Sequence, residues 1–162
     1  MNPRRYADDT QVPISRSRYE LDELLRRWGA EGVQWTDDWA NGKITLRFVW
    51  PRENQRYAAR FDVRLPNPAE IRERLQTYGG TNTQREQRIR RELEGRGRAE
   101  MRLLVLWIKA ALNAVAGGIV DAETVFLPFL EGRDGQTVAE VARPRLPALL
   151  GGSADRLLGD GR

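Results

Sequence analysis

Between residues 35 and 64, Arg47, Arg52, Arg56, Arg60 and Arg64 alternate with Trp35, Trp39, Phe48, Trp50, Tyr57 and Phe61. Guanidinium groups neutralise phosphates, and aromatic faces stack unpaired bases at about 1–3 kcal/mol each. The combination suits a single-stranded nucleic acid. On this reading Arg47, Arg60 and Arg64 meet phosphates, Trp35, Trp39 and Tyr57 offer stacking faces, and Arg52 and Arg56 flank them. Phe48, Trp50, Phe61 and Val63 are assigned to the core, because a small sheet must bury one face.

Two further groups of residues carry weaker chemistry. Arg85, Arg88, Arg90, Arg91, Arg96 and Arg98 are interleaved with Glu86, Glu92 and Glu94, which reads as a solvated, salt-bridged helix face that could prolong the basic strip. Asp8–Asp9 and Asp37–Asp38, with Lys43 nearby, are residue types that a magnesium-dependent nuclease would use. Neighbours on a regular strand point to opposite faces, however, so such a pair cannot chelate one ion. "TYGGTN" has paired glycines but not the Gly-Lys-Ser/Thr of a phosphate loop.

Composition narrows the chemistry. The 162 residues include no cysteine and no histidine. Disulfides and thiolate zinc sites are excluded, and so is the commonest general base. The chain is therefore read as a non-enzyme that needs no cofactor and no metal. Of its 27 basic residues, all but Lys43 and Lys109 are arginine, a planar fork matched to phosphate. Residues 43–98 hold fourteen basic and seven acidic side chains, whereas both flanking segments are slightly acidic. A basic zone between near-neutral ends favours a polyanionic partner. The longest apolar run, "LLVLWI", is broken at Lys109 and Asn113 and fits a buried helix better than a membrane span. "MNPRRYADDT" shows no secretory h-region, which fits a cytoplasmic protein.

The elements that must position these residues can be read from periodicity. "SRYELDELLRRWG" repeats apolar residues at helical spacing, with Ser15 or Ser17 as cap, acidic residues crowding the first turn and Gly29 as stop. "GVQWTDDW", "KITLRFVW" and "RYAARFDVRL" read as three strands of an antiparallel meander, joined at "ANG" and "PRENQ". Ile44, Leu46, Phe48 and Trp50 share one face with Tyr57, Ala59, Phe61 and Val63; Arg47, Arg60 and Arg64 fall on the other. A short helix is expected over 68–77, then a mobile loop over 78–86, then a charged helix weakened at Gly95 and Gly97. "EMRLLVLWIKAALNAVAGG" continues it as the strongest helix, with Trp107 and Ile108 in core or at a dimer seam. Short helices follow near "DAETVFLPFL", capped by Asp121, and near 136–142.

The order of these features resembles a family of small uncharacterised proteins encoded by bacteriophages and prophages. The likeness runs over roughly residues 6–147. It is carried by "YADDTQVPISRSRYELDELLRRWGAEG", by the meander, and above all by "MRLLVLWIKAALNAVAGGIVDAETVFLPFLEGRDGQTVAEVARPRL". The insert 67–84 and the tail match less well. The resemblance implies a phage protein acting in the cytoplasm of the infected bacterial host, and it brings no agreed activity.

The expected fold is α+β: an N-terminal helix, a three-stranded antiparallel β-meander, and a long C-terminal helix packed on the sheet, with short helices after it. Residues 1–147 form one domain with an arm over 1–13, and 148–162 form a flexible tail. The expected function is non-enzymatic nucleic-acid binding in phage replication or recombination, with single-stranded DNA preferred, RNA open, no membrane partner, and a homo-oligomer. The alternative is a phage protein that binds and modulates a host protein.

Overall fold

Strands Gly32–Asp38 (β1), Lys43–Arg52 (β2) and Gln55–Arg64 (β3) form an antiparallel meander in the order β1-β2-β3. The computed structural model describes residues 7, 9–76 and 79–150. Register places Leu46 between Trp35 and Phe61, and Arg47 between Gln34 and Arg60. Parity therefore assigns the faces as the sequence implied. Ile44, Leu46, Phe48, Trp50, Ala59 and Phe61 are buried on one of them.

Helices Ile14–Trp28 (α1) and Asn82–Ala116 (α3) cover that face. Leu21 and Leu25 of α1 and Val105, Ile108 and Leu112 of α3 complete the core. Its centre is aromatic. Phe126, fully buried, lies 5.4 Å from Phe48, 5.7 Å from Trp50 and 6.0 Å from Trp28, measured between ring centres. Each such ring contributes about 1.5–3 kcal/mol through burial. Phe48, Trp50 and Phe61 are thus buried in the core, as assigned from the sequence. Phe126 belongs to Ala122–Phe126 (α4), and Asp121 caps that helix by accepting from the Thr124 amide at 2.7 Å.

Several boundaries differ from the sequence reading. α1 starts at Ile14, so Ser15 and Ser17 lie inside it, and Glu20, Asp22 and Glu23 fall beyond its first turn. Gly29 ends it in the left-handed region at φ 109°, as expected. Pro68–Leu75 (α2) is capped by Asn67, whose side chain accepts from the Ala69 amide. The loop expected over 78–86 is shorter, because α3 already begins at Asn82. Thr81 and Gln84 form a reciprocal capping box there. Residues 77 and 78 lie outside the described residues, as do 1–6, 8 and 151–162. Of the expected N-terminal arm, Thr10 is held by Arg98, whose Nε donates to its carbonyl at 3.3 Å. Of the expected tail, residues 148–150 belong to the helix Leu146–Leu150 (α6). Among the described residues no helix is long and apolar enough to cross a membrane.

α3 is continuous through both glycines for 35 residues, about 52 Å at the usual rise. Its second half lies on the sheet. At residues 97–101 it passes the sheet end that carries Ile44, Val63 and Leu65. Everything before that point, roughly 22 Å of helix, projects past the sheet. α2 lies against this projecting part, burying Ile71 and Ile89. The two helices form an arm.

Candidate functional site

The second sheet face is covered where Arg47 and Arg60 lie, while Gln34, Thr36, Asp62 and Arg64 stay exposed. After α4 the chain returns along the outer edge of β3: Leu130 bridges to Ala59, and the Glu131 amide donates to the Ala58 carbonyl at 2.8 Å. The segment 130–137 doubles back through a Glu131–Thr137 bridge into Val138–Ala142 (α5), where Thr137 and Glu140 form a capping box. This strap delivers carboxylates to the arginines beneath it. Arg47 donates from Nε to Glu131 Oε2 at 3.0 Å and from Nη2 to Oε1 at 3.2 Å. Arg60, only 13% exposed, pairs with Glu131 at 3.5 Å, with Asp62 at 3.4 Å, and with Glu140 and the Gly135 carbonyl. Amide donation from Thr137, with Arg60 nearby, holds the Glu140 carboxyl below its ordinary range.

This corrects the expectation that Arg47 and Arg60 face solvent: an internal acidic segment already neutralises them. The flanking arginines are paired too, but at the surface, and both stay exposed. Arg52 pairs with Glu123, and Arg56 pairs with Glu31 at 2.8 Å. Tyr57 stacks on Trp50 with ring centres 5.7 Å apart. Trp35 is half-buried on the helix side; its indole N–H donates to Asp22 at 2.8 Å, and Arg18 lies over its ring. Asp37 and Asp38 point apart, as strand geometry requires. Arg18 binds the first at 3.1 Å, and the Asn41 side chain binds the second at 2.8 Å. Of the expected set, Arg64 and Trp39 are exposed outside any ion pair or ring contact among the described residues. Arg64 is exposed and meets no carboxylate among the described residues, and Trp39 is 79% exposed in the β1–β2 turn.

The basic run in α3 takes a different form from the self-neutralised face its sequence suggested. Glu92 does pair with Arg96, at 2.8 Å, but it also reaches Arg74 on α2. Glu86 turns to Arg72 on α2, at 3.6 Å, instead of to Arg90. Glu86 and Glu92 thus bridge the two helices of the arm. Arg90 and Arg91 are left exposed with no carboxylate partner among the described residues. Arg88 beside them donates to the Gly79 carbonyl at 3.3 Å. Residues 67–98 carry eight arginines against five glutamates. The arm springs from the sheet end where Lys43 pairs in register with Arg64 and where the Trp39 turn lies.

Fold and site together define an α+β protein whose small meander, strapped on its polar face, carries a basic two-helix arm. Compared with protein-family models, curated proteins and solved structures, the chain matches none.

Proposed function

We propose that this protein binds single-stranded nucleic acid, without catalysing a reaction, through the α2–α3 arm and the adjoining Trp39 turn. The observation that carries this reading is the adjacent pair Arg90 and Arg91. Both are exposed on a projecting helix, and cross-helix pairing has drawn away the glutamate best spaced to neutralise Arg90. A guanidinium pair of this kind gains by releasing counterions from a phosphate backbone. Trp39 stands at the foot of the arm with most of its ring in solvent. It can stack only a base that has been unpaired, which favours a single strand over a duplex. On the resemblance described above, the setting is phage replication or recombination.

Fluorescence anisotropy with labelled single-stranded DNA, duplex DNA and RNA at two salt concentrations tests the reading. Affinity for single strands should fall steeply with salt. Arg90→Ala with Arg91→Ala should weaken binding about tenfold and lower the salt slope by between one and two. The fold should be unaffected, since neither residue meets a carboxylate among the described residues. Trp39→Ala should lower single-strand affinity and remove most of the tryptophan quenching on binding. Unchanged affinity in the arginine double variant would overturn the site. Absence of any salt-sensitive binding would favour the alternative, in which the arm docks on an acidic protein surface.

A further inference from the structure

We infer that the free edge of β3 is a homodimer seam, on which a second copy of the chain adds its own β3 to form one six-stranded sheet. The inference stands apart from the nucleic-acid reading and uses different residues. β3 ends the sheet, and its outer edge is only partly covered. The strap bridges it at Ala59, and Pro66 follows it at the other end. The open stretch between them is centred on Val63.

Backbone direction fixes which groups this edge offers. The Ala58 carbonyl accepts from the strap, so residue 58 turns its polar groups outward, whereas the Leu65 amide donates inward to the Gly42 carbonyl at 2.7 Å. With a period of two, Asp62 and Arg64 also turn their N–H and C=O groups outward. A two-fold axis at Val63 would place Asp62 of each copy directly opposite Arg64 of the other. That is the hydrogen-bonded type of antiparallel pair, in which both residues exchange N–H···O=C bonds. Their side chains share one face and carry opposite charges, so the pairing makes two cross-strand ion pairs from a single operation. A register shifted by one residue on each copy would oppose like charges or lose the match. Arg64, without an internal carboxylate partner among the described residues, gains one.

The helix side of the edge is complementary as well. A groove of about 490 Å³ lies at this edge, lined by Phe61, Val63, Leu103, Trp107 and Phe129 together with the charged Asp62, Arg64 and Glu100. Trp107 keeps 40% of its surface exposed there. Because α3 lies beside β3, the same two-fold brings Leu103 and Trp107 of the two copies toward each other above the joined sheet. The apolar surface and the unpaired strand edge are covered in one step.

Sedimentation equilibrium should show a species of twice the 18.6 kDa chain mass. Arg64→Glu would set two like-charge pairs across the seam and should weaken the dimer about a hundredfold. Circular dichroism will show whether that variant keeps its fold. A second variant tests the register directly. The chain has no cysteine, and Val63 would face its own copy across a non-hydrogen-bonded pair, about 4.5 Å between Cα atoms, within reach of a disulfide. Val63→Cys, oxidised with diamide, should run as a cross-linked dimer on a non-reducing gel, whereas Thr36→Cys on β1 should not. A monomer at every concentration, a dimer indifferent to Arg64→Glu, or a Val63→Cys protein that dimerises without cross-linking would each overturn the inference.

Discussion

Arg47 and Arg60 face each other across β2 and β3, and two guanidiniums so placed repel. Glu131 resolves the conflict by accepting from the first and pairing with the second. Removing its charge should therefore cost more than one surface ion pair is worth. Glu131→Gln should lower stability by about 2 kcal/mol in urea denaturation, whereas Glu140→Gln, with its partner still held by Glu131 and Asp62, should cost less. Arg60→Ala should likewise destabilise, because it leaves Glu131 half-satisfied. The faces on which these arginines lie were legible from strand alternation, and the burial of Phe48, Trp50 and Phe61 followed from it. Their partner was not legible. Glu131 stands 84 residues beyond Arg47, and no periodicity links a side chain to a carboxylate at that distance. The sequence predicts only a short helix near 136–142; its Thr137–Glu140 capping box, seen in the structure, fixes the helix start without saying what the helix covers.

At the level of elements, α3 is more continuous than its two glycines suggest. Propensity alone makes Gly95 and Gly97 a weak point, yet the helix runs through both because its first turns are capped at Thr81 and packed against α2. The two glycines differ in role. A Cβ at Gly95 would meet only Arg98 Nη2, at 3.9 Å, whereas one at Gly97 would lie 3.2 Å from Ile14 Cδ1 and 3.7 Å from Leu65. Gly95→Ala should stabilise by about 0.8 kcal/mol. Gly97→Ala gains the same propensity but requires the Ile14 side chain to give by a few tenths of an ångström in a packed seam, so thermal melts should show a smaller gain than Gly95→Ala or a loss. The arm was only half legible for the same reason. Its charges were visible, but their distribution between two helices depends on tertiary packing, which sent Glu86 to Arg72 instead of Arg90.

Across the whole molecule, acidic groups secure connections between elements. Asp121 caps α4, Asp38 closes the β1–β2 turn and Glu140 closes the strap. Each is held below its ordinary value, chiefly by hydrogen bonds from Thr124, Asn41 and Thr137 respectively. The folded state thus binds fewer protons than the unfolded one near the usual carboxylate range of about 4. Stability contributed by these groups is complete above that range and is lost as pH falls through the lowered folded values. Without histidine, stability should stay level between about pH 5 and 8. Urea midpoints across that interval and down to about pH 3 check both limbs, and Glu140→Gln should flatten the acid one. The strap also sets an order of events in synthesis. A nascent chain that has completed its meander still lacks Glu131 and Glu140, so Arg47 has no carboxylate and Arg60 has only Asp62 until residues 131–140 leave the ribosome. A product truncated ahead of residue 130 would keep that cationic surface uncovered permanently.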